Sequence, residues 1–329
     1  LFLDVINEDN PTPELGRIEA TNPCGEVPLR PYEACVLGSV NLGNHTDDGA
    51  MDWEKLRETV RLGVRLLDDA IQLSAFPVPD IEEAVKRTRK LGLGVMGFHD
   101  ALVDLALSYD SDEAVAFADE LAAFVHDESR AASRRLAEER GPFPAWEDSV
   151  REEPTRNATT TIAPTGSISL IAGCSASVEP IYGVAYTKRV MGGLDIVNDR
   201  FVDLATERGF YSDELLDDLH GRTTVRDVDA IPDDVKRLFR TAHDVSADRH
   251  LEMQAAFQNH VDNAVSKTVN LPRSATVEDV REVFLLERDL DLKGVTVFKS
   301  GARAEQVLEE DPLKEECIGE CEHVDGNEQ

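Results

Sequence analysis

Five consecutive residues, Asn22-Pro23-Cys24-Gly25-Glu26, bring an amide, a thiol and a carboxylate together. Proline removes a backbone donor and glycine breaks regular structure, so this segment is a tight loop rather than a helix. In such a loop the three groups can converge on one small volume, bind a hydroxyl, exchange a hydrogen atom and accept a proton. A plain structural loop around a buried thiol is the alternative reading of the same residues. Cys35 follows in Cys35-Val-Leu-Gly-Ser-Val-Asn-Leu-Gly43, a pattern that predicts a strand with a small-residue kink. Its thiol is either core packing or one half of a redox pair. A disulfide partner must lie within about 4.5–7 Å between Cα atoms. Cys24 is one candidate, and a cysteine upstream of Leu1 is another.

A second constellation is Ala163-Pro164-Thr165-Gly166-Ser167-Ile168-Ser169. A strand leads into a turn and a helix start, where unpaired N–H groups favour an anion such as phosphate. Thr165, Ser167 and Ser169 add hydroxyls, and Gly166 is expected to need positive φ and to allow close approach of a ligand. An ordinary Ser/Thr helix cap is the competing reading. The lysine of a P-loop is missing, so ATP hydrolysis is not supported. A third group is Cys317 and Cys321, followed by His323. It reads as a redox pair on a mobile arm, as three of the four ligands of a zinc site, or as incidental thiols in an acidic tail. The neighbouring glutamates work against thiolate formation there. Cys174 reads as a small packed residue, and no HxH or HExxH spacing suggests a metal site.

Elements must position these groups. Leu56, Val60, Val64, Leu67 and Ile71 recur on one face of a long helix that Asp52 can cap, with Pro77 and Pro79 beyond its end. A second helix runs from about Ser111 to Arg140 and stops at Gly141-Pro142. Residues 91–97 (LGLGVMG), 157–163 (NATTTIA), 264–271 and 294–298 (GVTVF) read as strands. Residues 195–260 are charged and helical in pattern, and a further helix starts at Thr276. Strands alternating with long helices indicate an α/β architecture.

The formal net charge of −31 argues against nucleic acid as a partner, because phosphate backbones call for Lys and Arg. Spread along the chain, with Arg favoured over Lys, the acid fits a high-salt cytoplasm in which carboxylates are screened. No apolar run approaches a membrane span. Five cysteines in a chain of this length suit a reducing cytoplasm rather than a disulfide scaffold. The chain opens on Leu1 in mid-pattern and is read as a fragment lacking its N-terminal part.

The segments ATNPCGEVPL, ACVLGSVNLG, LGLGVMGF, TTTIAPTGSIS, SVEPIYGVAY, NAVSKTVNLP and LDLKGVTVFKSGAR occur in order over about residues 15–305. Together they resemble the class II, adenosylcobalamin-dependent ribonucleotide reductases. The resemblance implies the second half of a ten-stranded α/β barrel with a finger loop, over residues 1–305, and an acidic flexible tail over 306–329. It implies that Cys24 carries a thiyl radical that takes the ribose 3′ hydrogen atom, that Glu26 is the base for the 3′ hydroxyl, and that Asn22 binds substrate hydroxyls. Pro23 and Gly25 complete that substrate loop. Cys35 is implied as one of two thiols that reduce the 2′ carbon, its partner lying upstream. Pro164, Thr165, Gly166, Ser167 and Ile168 are implied as the phosphate cradle, and Cys317 and Cys321 as the re-reducing pair, at a wider spacing than the family's usual one. A subunit fed its radical by a second protein needs two relay tyrosines near the C-terminal strand. Gly294-Val-Thr-Val-Phe298 has none, and no glycyl-radical loop is visible, which leaves the cobalamin class. The implied partners are a ribonucleoside di- or triphosphate and a thioredoxin-like protein reductant, with a homodimer admitted.

Overall fold

The long helices carry apolar stripes that pack on strands and on one another, and the strands are too short to stand alone. The structure, a computed structural model, describes residues 1–156, 160–188 and 193–302. In chain order, the elements around the site are β1 (Ala20–Thr21), β2 (Pro28–Leu29), β3 (Val36–Asn41), α1 (Trp53–Leu73), β4 (Leu91–Met96), α2 (Asp112–Arg140), α3 (Ile168–Ala172), β5 (Ala185–Lys188), β6 (Leu194–Val197), α4 (Ala247–Gln258), β7 (Thr268–Leu271), α5 (Val277–Asp289) and β8 (Thr296–Lys299). Asp52 caps α1 by accepting from Lys55 N–H, Ser111 caps α2, and Thr276 opens α5 with a reciprocal capping box. Gly141 ends α2 as expected.

Five extended segments run parallel in one ribbon. β3 pairs with β4, from Val36 opposite Leu91 to Asn41 opposite Met96. Leu93 bridges Thr160, Ile162 bridges Val265, and the chain from Val265 enters β7, which pairs with β8. All four pairings are parallel, as expected for one half of the barrel. The strand expected over 157–163 is a pair of single bridges at Thr160 and Ile162, and residues 157–159 lie outside the described residues. The last strand sits two residues later at its start than the pattern suggested, at Thr296 rather than Gly294. Helix α1 ends at Leu73, ahead of the prolines, where Ser74 turns extended and donates from both its N–H and its hydroxyl to Ala70 O.

The alternation in β4 explains its composition. Leu91, Leu93 and Val95 are buried in the main core with Leu56, Val60, Val64, Leu67 and Ile71 of α1 and Leu121 and Val125 of α2. Each such side chain contributes roughly 1.5–3 kcal/mol relative to exposure. Gly92 and Gly94 occupy the other face. A Cβ at Gly94 would stand 2.0 Å from Thr161 O, and one at Gly92 would meet Leu37, Thr161 and Cys35. The glycines let segment 160–162 lie directly against β4.

A buried charge cluster ties the outer layer together. Asp68 of α1 accepts from Arg89 (2.6 and 2.9 Å), Arg140 at the end of α2 (2.8 Å) and Arg156 (3.3 Å). No helix among the described residues is long and apolar enough to cross a membrane.

The glycine contact sets a test. Gly94→Ala in the full-length protein should cost about 1–3 kcal/mol, or more if segment 160–162 cannot shift, because the methyl must displace backbone. Thermal unfolding should show a Tm several degrees lower; an unchanged Tm would mean that the ribbon does not pack this closely.

Candidate active site

The Asn22–Glu26 segment is the tip of the β1–β2 hairpin, in which Ala20 faces Leu29 and Thr21 faces Pro28. Asn22 organises the tip. Its Oδ1 accepts from Val27 N–H (2.9 Å), its carbonyl accepts from Gly25 N–H (3.1 Å), and its N–H donates to Val27 O (3.2 Å). Gly25 adopts φ 84°, a left-handed conformation that suits glycine at a tight turn. The tip is docked on the ribbon through one atom. The Glu26 carbonyl oxygen accepts from Thr161 Oγ1 (2.6 Å) and from Ala264 N–H (3.0 Å). Cys24 is exposed, whereas Glu26 is 2% exposed and its Oε2 has no hydrogen-bond partner among the described residues. Burial pushes the Cys24 thiol up, and the Glu26 carboxylate adds to that.

Cys35 lies just before β3. Its Sγ would stand 3.2 Å from a Cβ at Gly92, in the company of Leu37 and Thr161 side chains, so the sulfur is enclosed although part of the residue reaches the surface. Burial pushes its thiol up to about 12; Lys90 opposes this, and Glu26 and Glu33 reinforce it. Glu26 thus acts on both thiols. Neither Cys24 nor Cys35 is in a disulfide here. Lys90 is buried and donates to Glu33 Oε2 (2.9 Å) and Pro28 O (3.2 Å). Glu33 also accepts from Arg30, at N (2.8 Å) and Nη2 (2.8 Å). Burial alone would raise the Glu33 carboxyl, but Lys90 and the Arg30 contacts hold it below its ordinary value.

At the expected cradle, the left-handed residue is Thr165 (φ 50°), not Gly166, which corrects the conformational expectation for that glycine. Thr165 is held there because its Oγ1 accepts from Ser177 N–H (2.7 Å) and its carbonyl accepts from Ser169 N–H (3.0 Å). A Cβ at Gly166 would meet nothing within 4 Å, so the turn opens onto free space. Ser167 is the N-cap of the short helix α3, with no side-chain cap bond. Lys188, on β5, donates to Gly166 O (2.9 Å) and brings a cation to the turn.

The strap 175–179 secures this turn. Ser175 N–H donates to Asp100 Oδ2 (2.6 Å), and Glu179 accepts from Thr268 N–H (2.6 Å) and Lys267 Nζ (2.9 Å). Lys267 in turn donates to His250 Nδ1 (2.8 Å), which leaves His250 Nε2 to donate to Ala242 O (3.0 Å). Beside the strap lies a cavity of about 1020 Å3, lined by Cys174, Tyr182, Tyr186, Lys188, Asn198, Arg200 and the facing residues of β7 and β8. Cys24, Glu26 and Cys35 do not line it; it adjoins the cradle through Ser169. Cys174, expected as a packed small residue, is half-exposed on this wall.

Comparison with known proteins decides the family. The model of the ribonucleotide reductase barrel domain matches residues 1–154 and 146–298. The chain belongs to the ribonucleotide reductase barrel family. A vitamin B12-dependent ribonucleoside-diphosphate reductase of Mycobacterium tuberculosis (strain H37Rv) is 51% identical over 312 residues, covering 94% of this chain and 44% of that protein. Its namesake from Thermoplasma acidophilum is 46% identical, covering 94% of this chain and 41% of that protein. The chain therefore spans less than half the length of these relatives. The class Id ribonucleotide reductase alpha subunit of Actinobacillus ureae shares the fold at a TM-score of 0.76 and 23% identity, over 92% of this chain and 57% of that one.

Within this reductase barrel, the structure brings Asn22, Cys24, Glu26 and Cys35 together where the ribbon's segments begin and sets the 164–168 turn beside the cavity. Cys317 and Cys321 lie outside the described residues. Lys90, Lys188 and the Glu179–Lys267–His250 chain were not singled out from the sequence. No local signal marks them, because each depends on contacts between segments distant in sequence. Among the described residues no group of three or more His, Cys, Asp or Glu could hold a metal.

The two thiols should react in a fixed order. At pH 8 a thiol near 12 is ionised to only about one part in ten thousand. Timed iodoacetamide labelling of the reduced full-length protein, read by peptide mass mapping, should modify exposed Cys24 well before Cys35; the reverse order would contradict the enclosure of Cys35.

Proposed function

We propose that the parent protein reduces ribonucleotides to 2′-deoxyribonucleotides by a thiyl-radical mechanism, with adenosylcobalamin as cofactor. The observation that carries this reading is the hairpin tip. It places a solvent-accessible thiol, Cys24, next to a buried carboxylate with an unpartnered oxygen, Glu26, and docks both on the ribbon beside Cys35. Few arrangements put a hydrogen-atom donor, a proton acceptor and a second thiol within electrostatic reach of one another. Relatives at 46% to 51% identity bear the name vitamin B12-dependent ribonucleoside-diphosphate reductase.

The residues of the cavity fit a nucleoside-bearing cofactor. Tyr182, Tyr186 and Phe298 offer aromatic faces, Asn198 and Asn270 offer amides, and β8 has no tyrosine that could relay a radical from another protein. When bound, the cofactor supplies the unpaired electron by homolysis of its cobalt–carbon bond. The chain's own groups then act on the substrate. Cys24, as a thiyl, takes the 3′ hydrogen atom, and Glu26 Oε2 accepts the 3′ hydroxyl proton while Asn22 Nδ2 holds the substrate hydroxyls. The 2′ hydroxyl leaves as water with a proton from one thiol, Cys35 and a second thiol supply the two electrons and the new 2′ hydrogen and become a disulfide, and Glu26 returns its proton to the 3′ oxygen. Cys24 finally returns the hydrogen atom to the 3′ carbon. The turn Pro164–Ile168 binds the phosphates through backbone N–H groups, and Lys188 adds charge.

With this reading go a ribonucleoside di- or triphosphate as substrate and a thioredoxin-like protein as reductant. Residues 1–305 form the catalytic part. The tail 306–329 relays electrons through Cys317 and Cys321. The reading places the protein in the cytoplasm and admits a homodimer.

Two measurements test it. Cys24→Ser in the full-length enzyme should reduce turnover, and exchange of the substrate's 3′ hydrogen, to background with an unchanged Tm; deoxynucleotide formation by that variant would refute the assignment. Gly166→Ala should leave the Tm unchanged, since its methyl enters open space, yet weaken nucleotide binding about tenfold, or roughly 1.4 kcal/mol. Nucleosides should be unaffected, and equal weakening of nucleoside and nucleotide would remove the phosphate role.

A further inference from the structure

Lys90 is an unusual residue to find inside this protein. Its side chain is 2% exposed, and an ammonium ion is buried only where something compensates it. Glu33 is the evident partner at 2.9 Å. Yet Glu33 already has a cation, because Arg30 reaches it through both a backbone and a guanidinium hydrogen bond. Arg30 thus shares the Glu33 carboxylate with Lys90, so the ammonium is not spent on that carboxylate alone.

The strand register says where that charge is felt. Val36 lies opposite Leu91, so one residue earlier Cys35 lies alongside Lys90. Lys90 immediately precedes the strand, and the Cys35 Sγ lies over Gly92, two residues further on. Because its ammonium is tethered to Glu33 and Pro28 O, Lys90 cannot swing out to solvent. We propose that Lys90 is a positioning residue for Cys35, its buried ammonium stabilising the Cys35 thiolate whenever that sulfur is released from a disulfide.

The proposal rests on the reading of Cys35 as a redox thiol. When a dithiol reductant resolves the disulfide, its thiolate attacks the partner sulfur and the S–S bond breaks. The Cys35 sulfur leaves with the bonding pair as a thiolate and later takes a proton from water. The second thiol of the reductant then displaces the partner sulfur, so the two electrons come from the dithiol. A better stabilised leaving thiolate departs faster. Enclosure works against that charge, as do Glu26 and Glu33, and Lys90 is the group that opposes them.

The test reads the thiol itself rather than turnover. Iodoacetamide labelling of Cys35 at pH 9.5 would be followed by peptide mass mapping in the reduced full-length protein, with Cys24 as internal reference. Lys90→Met should slow Cys35 labelling about tenfold, the change expected for one pKa unit. Lys90→Arg should stay close to the parent, and Glu33→Gln should accelerate labelling at least about threefold, by freeing the ammonium from its counter-charge. A loosened fold would move Lys90→Met and Glu33→Gln in the same direction, and that result, or an unchanged rate in Lys90→Met, would overturn the proposal. Should Lys90→Met fail to fold, Glu33→Gln decides alone: acceleration at Cys35 without change at Cys24 supports it, and no acceleration overturns it. If Cys35→Ser turns over normally, the redox reading of Cys35 fails while the labelling result stands on its own.

Discussion

The carbonyl oxygen of Glu26 is the point on which the rest of the site depends. The hairpin that carries Cys24 has only two residues in each strand, too little to hold a shape by itself. Two donors, the Thr161 hydroxyl and the Ala264 N–H, converge on that one oxygen and fasten the tip to two different segments of the ribbon. Thr161 can be there only because Gly94 has no side chain to keep the 160–162 segment away. A missing Cβ on one strand thus governs where a thiol and a carboxylate sit on another element.

Much of this was legible in the sequence, where local chemistry and final structure agree. The periodicity of α1, the caps at Asp52, Ser111 and Thr276, and the thiol loop at Cys24 all depend on neighbours a few residues away. The hairpin geometry was not visible, because β1 and β2 are too short to show alternation. Positive φ was expected at Gly166 because glycine carries no steric penalty there. The structure puts it at Thr165, whose hydroxyl binds Ser177 N–H, and a tertiary hydrogen bond of that kind leaves no trace in local sequence. Lys90, Lys188 and Lys267 carry no local mark of their roles, because their partners come from distant parts of the chain.

The use of charge divides between surface and interior. With 65 acidic and 34 basic residues the chain has cations to spare nowhere, yet Arg89, Lys90, Lys267 and Lys293 are all buried. Each buried cation bonds a carboxylate or a carbonyl, as burial requires. The acidic exterior contributes little to the packing, because exposed ion pairs are individually weak. The interior pairs set register between elements distant in sequence, such as Asp68 with Arg140 and Lys267 with Glu179.

The glycine face of β4 has a consequence for motion. Side chains hop between rotamers on fast timescales, and each hop shifts what packs against them. Gly92 and Gly94 have no rotamers, their peptide is held by ladder hydrogen bonds to the strand beside it, and segment 160–162 packs directly on it. What backs the Cys35 sulfur at this point is therefore peptide rather than a side chain that can change rotamer. Adjustment falls instead to the turn at Thr165 and the strap that holds it, where loops rather than sheet set the boundary.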